Sequence, residues 1–362
     1  MINKNLKTNE VINVREDEQI DPKAVESYLR NAIKDLPKGR LEVFQFSTGS
    51  SNLTYLLKIK DWEGVLRRAP KGPINEKAHD MQREYKVLKA LHPVFPLAPK
   101  VYVFSGVSDI VGAPFYIMEK RKGHLLDNIL AADNHHNEKE FRDISNALVE
   151  TLVELHSIDY RKTELVHMTK PEGFLLRQVK GWIKRYENVK LIEKMEVEQL
   201  KKWLLNNLPE SQDSTIIHYD YHLSNMLFDS ENPEEMTSLL DWEMSTVGDP
   251  LTDLASAMVY WIEDTDSDDY KKIRNYPITT KPGFYTRREF IESYAKKSGR
   301  NIEQMNYYMA FAYFKNLVIA QQIYFRWKKE YTTDERFKNG DVTVDLFLNL
   351  ALEHIRRNCR DG

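Results

Sequence analysis

The chain carries the sequence His218-Tyr219-Asp220-Tyr221-His222-Leu223-Ser224-Asn225, and a second acidic stretch, Leu239-Leu240-Asp241-Trp242-Glu243, follows it. Moving a phosphoryl group from a nucleotide requires a carboxylate beside the acceptor hydroxyl and oxygen ligands for the magnesium that bridges the phosphates. Asp220 fits the base, and Asn225 and Asp241 fit the metal ligands. Carboxylate and amide oxygens suit hard Mg²⁺ better than zinc. The two stretches therefore predict a phosphoryl-transfer site.

Short apolar or β-favouring runs surround these polar residues, at 214–218, 225–228 and 238–240. Such runs predict short strands, so the polar side chains are expected where strands enter and leave a loop. Loops that are braced by strands are where catalytic side chains are usually placed. The surroundings of the two stretches are therefore consistent with the predicted site.

At these residues the chain resembles the aminoglycoside phosphotransferase-like branch of the protein-kinase fold. That branch has a His-x-Asp-x-x-x-x-Asn catalytic loop and a metal aspartate in an Asp-Trp-Glu type segment, related to the His-Arg-Asp and Asp-Phe-Gly segments of protein kinases. Further segments look most like the phosphotransferases that resemble the N-terminal region of acyl-CoA dehydrogenase family members 10 and 11. These segments are Gly248-Asp249-Pro250-Leu251-Thr252-Asp253-Leu254-Ala255, Gly283-Phe284-Tyr285-Thr286-Arg287 and Tyr294-Ala295-Lys296-Lys297-Ser298-Gly299-Arg300. The resemblance implies an α+β, bilobal protein-kinase-like fold with a small antiparallel-sheet N-lobe and a mostly helical C-lobe.

The length of 362 residues exceeds that of a usual single domain, so two lobes with a cleft between them are expected. We assign residues 1–118 to an N-terminal helix and a nucleotide-binding small lobe, and residues 119–123 to a hinge. Residues 124–362 form the predicted helical large lobe, with the catalytic loop and the acceptor site. In the resembling family the hinge backbone holds the adenine edge, which implies that Glu119 and Arg121 contact the base through main-chain groups.

The small lobe is expected to begin with an amphipathic helix over residues 22–36, followed by alternating strands. The connector between the first two strands contains Gly49, Ser50 and Ser51, whose backbone amides are predicted to close over phosphates as a glycine-rich loop does. With one glycine the connector departs from the protein-kinase pattern, and an ordinary hairpin turn is the alternative. The predicted strands are 41–46, 53–60, 65–68, 101–105 and 115–118.

A kinase holds a lysine on its third strand, which binds the phosphates and pairs with a helix glutamate. The corresponding strand here reads Val65-Leu66-Arg67-Arg68. The resemblance aligns Arg67 with the lysine, and Glu84, in a helix predicted over 75–91, becomes its partner. A guanidinium can bind phosphate oxygens and a carboxylate together. Alternation does not determine whether Arg67 or Arg68 faces the phosphates, and surface roles for both arginines and for Glu84 stay open.

The region after the hinge is predicted to be helical, because apolar residues recur there at intervals of three and four. In the catalytic loop, His218 is expected to brace the loop, whereas His222 either contacts the γ-phosphate or fills space. Asp253 resembles the buried aspartate that ties the catalytic loop to the large lobe. The predicted helices of the large lobe are 141–155, 174–189, 195–208, 251–261 and 305–327.

Composition limits the partners. The net charge of −3, without a basic tract, gives no electrostatic footprint for nucleic acid. No apolar stretch approaches the roughly 20 residues that span a bilayer, and residues 1–18 lack a signal-peptide core, so a cytoplasmic location without membrane contact is predicted. The single cysteine, Cys359, argues against disulfides and cysteine-built metal sites. We therefore expect a nucleotide and a small molecule as partners, and the sequence predicts no oligomeric state.

The predicted reaction is Mg²⁺-dependent transfer from ATP, with GTP open as the donor, to a hydroxyl group of a small molecule. The resemblance points to a hydroxy acid or a hydroxyacyl compound, whose carboxylate one of several arginines could meet: Arg287, Arg288 or Arg326. An acidic run either attracts a cationic aminoglycoside, the alternative acceptor, or is a solvated loop. That run consists of Glu263, Asp264, Asp266, Asp268 and Asp269.

Two other classes of function compete with this prediction. A nucleotide-binding regulatory pseudokinase would share the fold, but Asp220, Asn225 and Asp241 are all present, which argues against it. A metal-dependent hydrolase could use aspartate and histidine near a loop, yet it would not need an arrangement of Arg67 with Glu84. Dependence on a nucleotide separates the three classes.

Overall fold

A computed structural model describes residues 11–47, 52–70, 80–132, 137–275, 277–332 and 334–358. The predicted phosphate-binding residues Gly49, Ser50 and Ser51 lie outside the described residues, as does Cys359. The strands, numbered in chain order, are β1 Val11–Ile12, β2 Glu42–Phe46, β3 Leu53–Ile59, β4 Trp62–Arg68, β5 Val101–Ser105, β6 Phe115–Glu119, β7 Thr215–Ile217, β8 Met226–Phe228, β9 Met236–Leu239 and β10 Thr246–Gly248.

The helices follow the same numbering. They are α1 Pro22–Ala32, α2 Met81–Leu91, α3 Leu126–Ala132, α4 Glu138–Ser157, α5 Phe174–Glu187, α6 Met195–Asn206, α7 Pro250–Tyr260, α8 Asp268–Ile273, α9 Arg287–Ser298, α10 Met305–Lys328 and α11 Gly340–Asn358. The strands and helices predicted within the described residues are confirmed, with ends that differ by a few residues. Residues 75–79 of the helix predicted over 75–91 lie outside the described residues. Sequence periodicity did not predict β1, β10, α3, α8, α9 or α11; the first four have seven residues or fewer, too few to establish a period.

Capping residues explain where two of the helices begin. At α1, the side chain of Asp21 accepts a hydrogen bond from a backbone N–H of the first turn, and Pro22 occupies the first helical position. At α7, Asp249 and Pro250 make the same arrangement. A carboxylate satisfies an N–H group that has no partner within the helix, and proline has no N–H to lose there. The sequence therefore fixes these two helix starts locally.

The sheet of β1 to β6 is antiparallel, with strand order β1-β2-β3-β4-β6-β5. In its register Tyr55 of β3 lies opposite Leu66 of β4, and Leu66 lies opposite Ile117 of β6. These three residues point to the face that packs on Val25 and Leu29 of α1, where all five are buried. Burial of this apolar face holds α1 to the sheet.

The chain divides into two compact units. Unit 1 contains the described residues within Met1–His136, Arg161–His167 and Leu223–Ser245. Unit 2 contains those within Asn137–Tyr160, Met168–His222 and Thr246–Gly362. Unit 1 holds the six-stranded sheet and the β8–β9 pair, and unit 2 is mostly helical with the β7–β10 pair. The boundaries predicted at residues 118 and 124 stay a prediction.

Among the described residues, we find no helix whose length and apolarity would let it cross a membrane. The long helix α10 is apolar on most sides because it is buried within unit 2, with aromatic side chains packed in the core. Six of the eight aromatic residues predicted there are buried, and this agrees with their expected packing role. The buried six are Tyr307, Tyr308, Phe311, Tyr313, Phe314 and Tyr324.

Candidate active site

The register of β4 sends its two arginines to opposite faces of the sheet in unit 1. Arg67 lies on the face that carries α2, where its Nη1 is 2.5 Å from Oε1 of the buried Glu84. Arg68 lies on the other face, where its Nε and Nη2 donate hydrogen bonds to the hydroxyl oxygen of Tyr55, at 3.2 and 2.9 Å. The geometry therefore places Arg67, and not Arg68, beside the helix glutamate.

Arg67 also contacts the acidic stretch after β9. Its Nη2 is 3.1 Å from Oδ1 of Asp241 and 4.0 Å from Oε2 of Glu243. Burial by itself lowers the pKa of the Arg67 guanidinium, but the negative charges of Glu84, Asp241 and Glu243, together with Tyr116, raise this pKa well above its usual value. Burial raises the pKa of Glu84, and the charge of Arg67 opposes that effect. Arg67 thus stays charged while it bridges carboxylates on two separate segments.

The β8–β9 pair brings the two predicted metal ligands to one end of a ladder. Met226 of β8 lies opposite Leu239 of β9, and the backbone N–H of Leu240 donates to the carbonyl oxygen of Asn225 at 2.7 Å. Asp241 follows directly, with a φ of +62°. This left-handed conformation is uncommon for a residue with a side chain, and such residues are found frequently at functional sites. An amide and a carboxylate oxygen at one end of a ladder are a donor set that fits Mg²⁺.

Two residues that sequence reasoning missed hold the acidic stretch in place. Asn52 Nδ2 donates to Oε2 of Glu243 at 2.9 Å. Arg83 of α2 donates from Nη1 to the carbonyl oxygen of Glu243 at 2.9 Å and from Nη2 to that of Ser245. Neither residue stands in a motif, because the contacts join segments that are far apart in sequence. Only the tertiary structure shows them, through the packing of α2 for Arg83 and through the start of β3 for Asn52.

The predicted hinge segment is held against β9 within unit 1. The backbone N–H of Glu119 donates to the carbonyl oxygen of Lys100 at 2.8 Å. Arg121 pairs with the Glu119 carboxylate at 3.0 Å and donates to the carbonyl oxygen of Thr237 at 2.5 Å. Gly123 has a φ of +133°, and a Cβ there would lie 2.3 Å from Oγ1 of Thr237. The side chains of Glu119 and Arg121 are thus paired with each other, and glycine is required where the segment meets β9.

In unit 2, a buried carboxylate fixes the start of the catalytic loop. Asp253 of α7 is 0% exposed and accepts hydrogen bonds from the backbone N–H groups of His218 at 2.7 Å and Tyr219 at 2.8 Å. Nε2 of His156 lies 3.1 Å from the same carboxylate. Tyr219 has a φ of +69°. A strained backbone next to the predicted base is therefore held by charge-assisted hydrogen bonds.

The predicted base has two histidine neighbours. The backbone N–H of Asp220 donates to Nδ1 of the buried His218 at 3.3 Å, so His218 braces the loop. Nε2 of His222 lies 3.3 Å from Oδ2 of Asp220. The His222 ring stacks on Tyr260 of α7 with ring centroids 4.4 Å apart. Contact with the Asp220 carboxylate is a role for His222 that sequence reasoning did not consider, and its predicted contact with the γ-phosphate stays a prediction.

Arg274 lies next to Tyr260, and no acidic side chain pairs with it among the described residues. The guanidinium of Arg274 is 4.1 Å from the ring centroid of Tyr260, and its Nη2 donates to Oδ1 of Asn316 at 2.8 Å. Within the described part of the chain no carboxylate lies within 4.0 Å of Arg274, and its buried Nε has no hydrogen-bond partner. Burial first, and then the charge of Asp220, raises the pKa of Tyr260, while Arg274 opposes this. Arg274 stands in no motif, so sequence reasoning missed it.

The arginines that the sequence offered for a substrate carboxylate are placed differently. Nη2 of Arg287 lies 3.0 Å from Oε2 of Glu263 and 2.6 Å from Oδ1 of Asp266. Arg288 is exposed and pairs with Glu292 at 2.7 Å. The acidic run is therefore neither uniformly solvated nor uniformly open to a cation, because two of its carboxylates neutralise Arg287.

The chain matches a protein-family model and several curated proteins. A model of the family described as "Phosphotransferase enzyme family" matches residues 42–289. The chain is 32% identical over 314 residues to acyl-CoA dehydrogenase family member 10 of Mus musculus, covering 86% of this chain and 29% of that protein. It is 32% identical over 320 residues to acyl-CoA dehydrogenase family member 11 of Homo sapiens, covering 85% and 40%. The chain thus spans less than half the length of these curated relatives.

Among solved structures, the fold is similar to a crystal structure from Ralstonia eutropha JMP134 that is described as a "putative aminoglycoside phosphotransferase". The TM-score is 0.80 at 25% sequence identity, and the match covers 94% of this chain and 99% of the other. A likeness over nearly the whole of both chains confirms the α+β fold class that the sequence predicts.

Proposed function

Because the chain belongs to the phosphotransferase enzyme family, we propose that it transfers the γ-phosphoryl group of ATP to a hydroxyl group of a small molecule. The observation that carries the proposal is the buried Arg67, which contacts Glu84 and Asp241 at once. Kinases place a lysine in this position to bind phosphates and to pair with a helix glutamate. A guanidinium can do both, because its fork offers several donors to oxygen.

In the proposed reaction, Asp220 accepts the proton of the acceptor hydroxyl. The hydroxyl oxygen forms a bond to the γ-phosphorus, and the bond between that phosphorus and the oxygen shared with the β-phosphate breaks, leaving ADP. His222 orients the Asp220 carboxylate, and Asn225 and Asp241 would hold the metal ion. When magnesium is bound, it neutralises charge on the β- and γ-phosphates.

The nucleotide contacts follow from the same assignment. Arg67 would bind the phosphates, and the backbone amides of Gly49, Ser50 and Ser51 would cover them. The main chain of residues 119–123 would contact the adenine edge. We propose ATP as the phosphoryl donor. GTP is the alternative donor, and a competition assay between the two nucleotides distinguishes them. The proposed place of action is the cytoplasm.

For the acceptor we propose a hydroxy acid or a hydroxyacyl compound. Arg274 supports this choice, because its positive charge lacks a counter-charge and lies against Tyr260, which stacks on His222. A charged guanidinium attracts a carboxylate and repels the ammonium groups of an aminoglycoside. An aminoglycoside stays the second candidate, because a similar structure is described as a "putative aminoglycoside phosphotransferase". A regulatory nucleotide-binding protein is the third.

A phosphorylation assay with Mg²⁺ tests the reaction. The acceptors are short hydroxy acids, their acyl-CoA forms and aminoglycosides, and the donors are ATP and GTP. Replacing Asp220 by alanine should lower turnover by about a hundred- to ten-thousandfold and leave nucleotide binding intact. The control is Asp109→Ala, at an exposed position outside the proposed site and the acidic run. Unchanged turnover in the Asp220 variant removes that residue from the mechanism, and binding of nucleotide without transfer to any acceptor favours the regulatory role.

The acceptor class has its own test. Arg274→Gln should raise KM for 3-hydroxybutyrate by about ten- to hundredfold, because a hydrogen bond to a charged group contributes about 1.5–3 kcal/mol. KM for the uncharged 1,3-butanediol should not change. The matched control is Arg288→Gln, because Arg288 is exposed and paired with Glu292. Equal effects of Arg274→Gln on the acid and the diol would contradict an anion-binding role.

A further inference from the structure

Helix α10 carries a lysine inside the core of unit 2. Lys315 is only 6% exposed, and the buried residues around it in the helix are mostly apolar. Its Nζ donates to Oγ of Ser256 at 3.2 Å, and in the described part of the chain no carboxylate lies within 4.0 Å. Burying an ammonium without a counter-charge is unfavourable for folding. Such a group is a candidate for a role other than stability.

The ammonium of Lys315 lies over an aromatic ring of the catalytic loop. Nζ is 3.3 Å from the ring centroid of Tyr219 and 5.7 Å from that of Trp182. A cation over the face of an aromatic ring is attracted by the ring's negative face, and the attraction is stronger where water is excluded. Lys315 therefore restrains the Tyr219 ring, and Tyr219 directly precedes the proposed base.

Apart from Lys315, the Tyr219 side chain is held by apolar packing and by no hydrogen bond of its hydroxyl within the described residues. Its backbone N–H is bound by Asp253, but its φ of +69° is strained and its buried hydroxyl has no hydrogen-bond partner within the described residues. The ring packs on Phe174 with centroids 6.2 Å apart. Fixing this ring fixes the peptide that leads into Asp220. Small displacements of a catalytic group reduce the rate strongly.

We propose that Lys315 is a positioning residue, whose ammonium holds the Tyr219 ring and thereby fixes the Asp220 carboxylate for phosphoryl transfer. The role at Asp220 rests on the proposed function, whereas the hold on Tyr219 does not. The contact requires the charged form of the lysine. Its strength therefore depends on pH.

The charged and titratable groups that face Lys315 set this dependence. Burial lowers the pKa of Lys315 to about 7, the negative charges of Asp253 and Asp220 oppose this, and Arg185 adds to it. The ammonium is present below that pH and is lost as the pH rises through it. We expect turnover to fall as the pH rises above 7, a decline that a carboxylate base alone does not produce, because such a base gains activity as it deprotonates and then levels off.

The test compares kcat and KM of the wild type, Lys315→Met and Lys315→Arg from about pH 6 to pH 9. At pH 6, Lys315→Met should lower kcat by about ten- to hundredfold with an unchanged KM for the nucleotide, and its profile should lack the decline near pH 7. Lys315→Arg should restore much of kcat and extend it to higher pH. The control is Lys328→Met, an exposed lysine of the same helix. A wild-type kcat and profile in Lys315→Met overturn the proposal.

A second readout does not need turnover. Protein labelled with 3-fluorotyrosine gives a ¹⁹F resonance for Tyr219, which Tyr219→Phe assigns. In the wild type this resonance should shift with a midpoint near pH 7, and in Lys315→Met it should not. If no acceptor is phosphorylated but the resonance titrates with Lys315, the proposed function fails and the hold on Tyr219 stands. If turnover is present and the resonance does not titrate, the positioning role is refuted.

Discussion

Replacing Lys315 by methionine should change how the stability of the protein depends on pH. The pKa of Lys315 falls from 10.5 to about 7 on folding, because burial disfavours the ammonium. Each pKa unit corresponds to about 1.36 kcal/mol, so the shift corresponds to about 5 kcal/mol in total. Between pH 7 and 10.5 the unfolded chain binds a proton that the folded chain does not, and stability therefore rises with pH. Below pH 7 the folded protein contains the buried ammonium, and its free energy of unfolding is lowered by the full amount of about 5 kcal/mol.

The rise can be measured over an accessible interval. From about pH 6 to pH 9 the lysine contributes about 2.5 kcal/mol to the increase in the free energy of unfolding, from the linkage relation with these two pKa values. Lys315→Met should lack this increase, since methionine has a similar length and no charge to titrate. The free energy of unfolding of the wild type, minus that of Lys315→Met, should therefore increase by about 2.5 kcal/mol from pH 6 to pH 9.

Urea unfolding followed by tryptophan fluorescence at several pH values gives the required free energies. The exposed Lys328→Met variant should follow the wild type at each pH. Parallel curves for the wild type and Lys315→Met would show that the lysine is not titrating in this range, and would refute both the burial argument and the expected loss of the ammonium near pH 7.

Three further substitutions test contacts near the site. Asp253→Asn turns an amide NH₂ group towards backbone N–H donors, and we expect urea unfolding to show a loss of about 2–4 kcal/mol, with a lower kcat. Glu84→Ala removes the partner of the buried Arg67, which should cost about 3–5 kcal/mol in the same assay, whereas replacing both by methionine should recover much of that loss. Tyr219→Phe removes a buried hydroxyl that has no partner within the described residues, so thermal unfolding should show equal stability or a gain of about 1 kcal/mol.

Local sequence patterns predicted most elements because local physics determines them. The alternation in β3 and β4 follows from one buried face of a sheet, and α1 and α7 begin at an aspartate and a proline that satisfy the first turn. Short elements such as α8 escaped prediction, because six residues do not establish a helical period. The large aromatic content of α10 predicted burial but not which polar residues, Lys315 and Gln321, are buried with the aromatic side chains.

The sequence by itself determined the fold class, through the resemblance of its motifs to a known family, and the residue types of the proposed reaction. The spacing of Asp220, Asn225 and Asp241 carries the chemistry of phosphoryl transfer, since each residue type follows from what the reaction needs. Their roles stay predictions. Pattern and spacing act over a few residues, and this is the range within which sequence reasoning is reliable.

Only the tertiary structure decided which arginine faces α2 and which cations lie near the catalytic loop. Alternation gives Arg67 and Arg68 opposite faces, but the register with β6 and the packing of α1 choose between them. Arg274 and Lys315 meet Tyr260 and Tyr219 across long sequence separations. Such contacts follow from how the helices pack against each other. Local periodicity does not encode them, because the packing free energy of the core depends on many residues that are far apart in the sequence.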